Sequence, residues 1–289
     1  MTLRHLDQLH FRQGLLVCLT FFLISPIALF AGPPFQTDDP EPVPFGHFEA
    51  YLFELSDGTR AGGTVCEVPS FEMNWGAVPN VQLHVVIPAP ISFAPNNGPV
   101  NYGIGDTELG VKYRFVKETP VRPEIGIFPF VELPTGDSSR GLGVGTTWYR
   151  LPIWAQKSWG PWTSYGGGGR VIAHAPGLRD FNFFGLLVQR QITKRLTLGN
   201  EIFGHGAEGP AATSMRSSTM DDVGGFFNFT PGFQLLFAAG HSFVGQGETY
   251  TYLALYWTWG KDKGQSSDAG STLMGRVHVP QPGSFSDGI

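Results

Sequence analysis

Charge is scarce in this chain of 289 residues: Asp, Glu, Lys and Arg together make up 15% of it. An ordinary soluble domain carries roughly 25%, so a compact water-facing surface of this size would be short of polar groups. Cysteine is nearly absent, at two residues, which excludes a disulfide-stapled framework and a cysteine metal cluster. There is no cationic excess either; a net charge of -5 gives nucleic acid no footprint. Beyond residue 31 no stretch of 18 uninterrupted apolar residues occurs, so that part has no transmembrane helix and crosses a membrane only as a closed barrel. What the chain does have is 39 Gly, 23 Pro, 24 Phe, 7 Trp and 8 Tyr. The aromatic residues exclude a disordered chain, and the Gly and Pro break up long helices. The remaining class is a glycine- and aromatic-rich β protein.

Arg4 and Arg12 precede an uncharged run from Gly14 to Ala31 that holds Leu15, Leu16, Val17, Leu19, Phe21, Phe22, Leu23 and Ile24, then Pro26 and small residues. This is the order of a secretory signal, with the cut placed after Ala31. A retained membrane helix is the competing reading, because the run approaches spanning length. Val17 stands where lipoprotein processing at Cys18 requires a small residue, so a lipid anchor is rejected. Cleavage leaves 258 residues with Cys66 as the only cysteine.

Residues 32–45 are polar and Pro-rich and read as an extended, mobile periplasmic leader; residues 260–289 are Gly/Ser/Pro-rich and read as a flexible polar tail. Between them, residues 46–259 follow a period of two. Asp106, Glu108, Gly110, Lys112 and Arg114 alternate with Thr107, Leu109, Val111, Tyr113 and Phe115, as a strand between water and something oily requires. The same reading places strands at 46–55, 67–75, 81–91, 104–116, 123–133, 142–156, 162–173, 182–192, 195–204, 222–229, 233–239 and 249–259. Twelve strands in 258 residues allow about 21.5 residues per strand and connection, which suits membrane strands of roughly 9 to 11 residues. Long connections at 56–66, 92–103, 134–141, 174–181, 205–221 and 240–248 alternate with short ones, the asymmetry of extracellular loops and periplasmic turns.

A soluble sandwich or lipocalin-like barrel alternates too, with its oily face inward; a membrane barrel reverses the assignment. Trp148, Tyr149, Trp154, Trp159, Trp162 and Tyr165 crowd two strand ends, and Tyr250, Tyr252, Tyr256, Trp257 and Trp259 mark the last strand. Such placement suits interfacial girdles. The expected fold is all-β: a transmembrane antiparallel up-and-down barrel of about twelve strands, of the outer-membrane type.

Several stretches carry a resemblance. They are Thr37-Asp38-Asp39-Pro40, Gly46-His47-Phe48-Glu49, Gln82-Leu83-His84-Val85-Val86 and Gly105-Asp106-Thr107-Glu108-Leu109-Gly110-Val111-Lys112-Tyr113. Further along come Leu151-Pro152-Ile153-Trp154-Ala155-Gln156-Lys157-Ser158, Trp162-Thr163-Ser164-Tyr165-Gly166-Gly167-Gly168-Gly169, Gln189-Arg190-Gln191 and Leu196-Thr197-Leu198-Gly199. Over about residues 37 to 259 the chain resembles the meta-pathway phenol-degradation family of outer-membrane β-barrel proteins, often described as transporters. The resemblance implies passage of small aromatic or apolar compounds and fixes no catalytic residue. One departure is the stretch after Trp259, since barrels of this type end on an aromatic C-terminal strand.

A cation on the lipid face at mid-membrane costs roughly 2 to 4 kcal/mol, so strand charges are expected in the lumen. The lumen-facing candidates are Glu49, Glu72, Gln82, His84, Asp106, Glu108, Lys112, Arg114, Glu124, Glu132, Arg150, Arg170, Gln189, Gln191 and Glu201, with Phe128, Phe130 and Trp154 beside them. These charges either set selectivity at a constriction or only pair with one another. Gly166 to Gly169 lack a following Lys-Ser/Thr and lie in a strand pattern, so they read as curvature or as space for an inward Trp154 rather than a phosphate cradle. The histidines at 47, 84, 174, 205 and 241 show no metal-ligand spacing.

The expected function is an outer-membrane channel or transporter, exported through a cleaved signal to the outer membrane of a Gram-negative bacterium, passing small apolar or aromatic solutes passively. No enzyme activity, cofactor, metal or nucleic acid is expected. Outer-membrane lipid, the barrel-assembly machinery and the solute are the expected partners of a monomer. Two alternatives stand beside this: a non-conducting structural or adhesion barrel using the 205–221 loop, and an outer-membrane lipid hydrolase, for which Ser242 beside His241 is the only hint.

Overall fold

The computed structural model of the chain describes residues 34–59, 63–93, 99–174, 177–209 and 216–260. The signal reading for 1–31 and the tail after Gly260 fall outside these residues. Period-two segments become the strands β1 (His47–Thr59), β2 (Gly63–Val78), β3 (Val81–Ile87), β4 (Pro90–Phe93), β5 (Val100–Tyr102), β6 (Thr107–Val116), β7 (Glu124–Ile127) and β8 (Phe130–Leu133). They continue as β9 (Trp148–Trp159), β10 (Trp162–Ile172), β11 (Phe181–Gln191), β12 (Leu196–His205), β13 (Ser218–Thr230), β14 (Phe233–Gly245) and β15 (Glu248–Gly260).

The fifteen segments build twelve staves, because β3/β4, β5/β6 and β7/β8 are each one interrupted strand pairing with shared neighbours. Pro88 lies in the first gap and Pro90 opens the strand after it, residues 103–106 form the second, and Pro129 lies in the third. Proline has no N–H to give the ladder. All pairings are antiparallel, and β15 returns to β1 from His47↔Gly260 through Thr59↔Glu248. Since β1 also pairs with β2, the barrel closes without a free edge, as a bilayer demands.

The direction of the oily face is settled by β6. Leu109, Val111, Tyr113 and Phe115 are 42 to 47% exposed, whereas Lys112 between them is buried. Leu83, Ile87, Leu151, Ile153, Phe184, Leu186 and Val188 extend the same exposed belt around the wall. A soluble barrel would have these inside; here they look outward.

Three expectations need correction. The connections expected at 56–66 and 240–248 shrink to residues 60–62 and 246–247, because β1, β2 and β15 go on pairing as far as Thr59↔Gly63 and Thr59↔Glu248, and β14 runs on to Gly245, through stretches such as Ser56-Asp57-Gly58-Thr59 that carry no apolar alternation. Gly63 and Gly245, with φ of 89° and 84°, take conformations that a side chain would oppose. The strand expected from residue 142 begins at Trp148, after a loop holding a 3-10 turn at Ser138–Arg140. The aromatic girdle is also only half as expected. Trp159, Trp162 and Trp259 are exposed, and Phe48 stacks on Trp75 and Trp259 at 6.0 and 5.6 Å. In contrast, Trp154, Tyr165, Tyr250 and Tyr252 are buried in the interior, because successive residues of a strand face opposite ways and only one parity reaches lipid.

Residues 34–45, read from sequence as a leader hanging in the periplasm, instead run inside the barrel. Pro34, Phe35, Thr37, Pro40 and Val43 are buried, and Phe35 packs into the interior aromatic cluster. Cys66 is buried with Val68 against Ile91 and Phe93; the expectation that it is the only cysteine concerns cleavage after Ala31, which lies outside the described residues.

The outward belt gives a direct prediction. Val111→Arg is expected to lower bilayer-folding stability by about 2 to 4 kcal/mol, measured by urea titration in liposomes. Val121→Arg, on the 95% exposed turn between β6 and β7, is expected to change it by less than about 0.5 kcal/mol.

Candidate functional site

The inward residues divide into two walls. On β2, β3 and β6 to β8 they are mostly charged or polar; on β9 to β15 and β1 they are mostly aromatic or aliphatic, including Tyr51, Phe53, Trp154, Tyr165, Phe183, Leu187, Phe203, Tyr250 and Tyr252. The leader lies between the two.

On the charged wall His84 is the centre of one cluster. Its Nε2 lies 2.7 Å from Glu108 Oε1 and its Nδ1 2.7 Å from Asn74 Oδ1 and 3.4 Å from Glu72 Oε1. Asn74 Nδ2 donates to Glu72 at 2.8 Å, and the His84 ring meets Phe128 edge-on at 5.0 Å. Glu132 stands opposite Glu108 in register. Lower on the wall Arg114 donates to Glu124 at 3.0 Å and to Asn80, with Glu41 of the leader at 3.7 Å. Glu49, across the barrel on β1, accepts from the Tyr51 and Tyr256 hydroxyls at 2.9 and 2.8 Å.

The leader is held from both walls. Lys112 donates to Asp38 at 3.0 Å and lies 3.5 Å from Asp39, with its ammonium over the Phe128 ring. Gln82 accepts the Val43 amide at 2.9 Å. On the other side the buried carboxylate of Glu201 accepts the backbone amides of Gln36 and Thr37, while Asp222, its register neighbour, accepts from the Gln36 side chain at 3.3 Å. Anionic acceptors make these amide bonds stronger than neutral ones. Inward glycines leave the room: a Cβ at Gly126 would come within 3.1 Å of Pro40, one at Gly199 within 3.2 Å of Phe35, and one at Gly185 would strike Thr37 Oγ1. The Thr37-Asp38-Asp39-Pro40 stretch that carried the resemblance is therefore the part that the wall grips.

Gln189 and Gln191 occupy inward positions at the end of β11, and Arg150 sits among rings on the aromatic wall. Two expected residues play other parts. Asp106 is buried, but its carboxylate accepts the amides of Gly136 and Val144 at 2.8 and 2.6 Å, so it clamps the 134–147 loop. Arg170 is not in the lumen: it has the outward parity of its partners Leu151 and Asn182 and is half exposed, donating to Asp180 at 3.0 Å. At the rim the cost that keeps a cation off the lipid face falls to about 0–1 kcal/mol. That hydrogen bond from Arg170 holds the Asp180 carboxyl below its usual range, as the Ser139 hydroxyl does for Asp137 in the other loop.

The hydrolase hint finds no geometry. Ser242 accepts the Glu248 amide at 2.8 Å and His241 Nδ1 lies 3.2 Å from Thr249 Oγ1, on opposite faces of β14. Among the described residues no His, Cys, Asp and Glu group has the arrangement to hold a metal. Sequence reasoning missed the leader's seat, Asn74 and Asp222. The one available signal was the spacing of glycines at inward positions of otherwise regular strands.

Neither a family model nor a curated protein matches the sequence. Among solved structures, the COG4313 outer membrane channel from Pseudomonas putida F1 superimposes with a TM-score of 0.62 at 13% identity, over 78% of this chain and 100% of that one. The translocator domain of the autotransporter NalP from Neisseria meningitidis gives 0.46 at 11% identity, over 74% and 89%. The P. putida toluene transporter TodX gives 0.36 at 7%, over 75% and 90%. The first likeness establishes the fold, a closed twelve-stranded barrel of the outer-membrane type.

The seat predicts slow exchange of two amides. In Glu201→Ala the Gln36 and Thr37 amides are expected to exchange about ten- to a hundredfold faster than in the wild type, from the loss of a charged acceptor, read by hydrogen-exchange mass spectrometry of the 34–41 peptide. Gly185→Leu is expected to do the same by filling the place of Thr37.

Proposed function

We propose that the chain is an outer-membrane channel through which small apolar or aromatic solutes pass passively, without catalysis or cofactor. The observation that carries this reading is the aromatic wall: a transmembrane barrel needs an oily exterior, but nothing in membrane insertion requires Phe53, Trp154, Phe183, Phe203 and Tyr252 on its inside. Parted from Phe35 and from one another, these packed rings would offer an apolar ring a favourable path, worth roughly 25 cal/mol per Å² of area taken from water. The resemblance of Thr37-Asp38-Asp39-Pro40 and the later stretches to the phenol-degradation family supports the same solute class.

The seated leader favours a second reading, a non-conducting structural barrel, because residues 34–45 occupy lumen space. One experiment separates the two. Purified full-length protein in liposomes is expected to raise permeability to benzyl alcohol above that of empty vesicles, and Gly185→Leu, which displaces Thr37, is expected to raise planar-bilayer conductance several-fold. No permeability for either protein contradicts the channel.

A further inference from the structure

The inward cations are not treated alike. Lys112 and Arg114 each have carboxylates within 4 Å. Arg150 has none among the described residues. Its guanidinium carbon lies instead 4.2 Å from the centre of the Phe183 ring, 5.6 Å from Phe130 and 5.9 Å from Phe203. Glu108, Asp38, Glu201 and Glu208 act on it only through space.

The strand between Arg150 and Phe183 explains how the cage forms. The β10 residue in register with Arg150 is the buried Val171, and the next two inward positions of β10 are Gly169 and Gly167, in register with Pro152 and Trp154 of β9 and with Phe183 and Gly185 of β11. A Cβ at Gly167 would meet the Trp154 ring at 2.9 Å. Beyond Val171 the bare stretch of β10 leaves the diagonal over Gly169 open, and along it Arg150 reaches the rings of β11 and β12.

A guanidinium against an aromatic face is held by its plane and keeps its N–H groups along the edges. Arg150 makes no hydrogen bond within the described protein, yet it remains partly accessible and none of its nitrogens is a sealed, unpartnered atom. Its donors therefore keep some solvent contact and have no acceptor among the described residues. Five donors in a rigid fork match a carboxylate in the same plane, and Phe130, half-buried beside the buried Phe183 and Phe203, is the ring that an aromatic body attached to it would meet. Glu132 pairs in register with Trp148, two residues before Arg150 on the same inward face, so a second negative charge on the ligand would meet repulsion.

We propose that Arg150 and the rings of Phe130, Phe183 and Phe203 form a binding subsite for aromatic monocarboxylates, of which benzoate is the smallest. The proposal rests on the channel reading for the ligand's route, but the site is tested without it. Titration calorimetry of the full-length protein in detergent is expected to show benzoate bound at least tenfold more tightly than benzyl alcohol or phthalate. Arg150→Met is expected to weaken benzoate about ten- to a hundredfold, the worth of hydrogen bonds to a charged group, and Arg150→Lys to keep an intermediate affinity; heat-modifiable migration shows that each variant is folded. Equal affinity for benzoate and benzyl alcohol, or no loss in a folded Arg150 variant, overturns the subsite. Benzoate binding without permeability in liposomes leaves the subsite standing and overturns the channel.

Discussion

Everything in this molecule follows from one constraint, that backbone hydrogen bonds inside hydrocarbon must be made within the protein. The β1–β15 ladder answers it by removing the edge. Once the sheet is closed, each strand has one face for lipid and one for the lumen, and the residue type at each parity is set by which medium it meets. Leu109 and Val111 go out, Glu108 and Lys112 go in, and the interior chemistry is whatever the second parity carries.

That second parity is not uniform. A barrel of this size has too little interior for a wide water channel and too much for a simple packed core. The charged wall is satisfied in pairs and clusters, around His84 and Arg114, whose separation would strand buried charge. The aromatic wall packs against itself and against Phe35. The leader unites them by presenting acidic side chains to Lys112 and backbone amides to Glu201. Asp38 and Asp39 thereby neutralise a cation that the wall itself leaves without a carboxylate, whereas Arg150 has no carboxylate within 4 Å among the described residues.

Much of this was legible in the sequence, and the reason is that the oily parity repeats. The alternation at 106–115 marked the strand and its two faces, and most of the charged residues singled out for the interior lie there because lipid excludes them. Arg170 escaped that rule at the rim, where the exclusion fades, and Asp106 is inside but spent on a loop. The loops were misjudged because the strand stretches at 56–59 and 240–245 carry no alternating apolar residues to read. The leader's seat was hidden for a different reason. Pro-rich polar sequence looks the same whether it is solvated or gripped, and only Gly126, Gly185 and Gly199, each at an inward position, mark its path.

The central claim is that odd positions of β6 face hydrocarbon and even ones face the lumen. Nitroxide labels placed one at a time from 106 to 116 in liposome-inserted protein test it directly, by comparing relaxation by oxygen with relaxation by a water-borne nickel chelate. Oxygen accessibility is expected to oscillate with a period of two and peak at 109, 111, 113 and 115. Peaks at 108, 110, 112 and 114, or nickel accessibility at the odd positions, would contradict the orientation and with it the lumen.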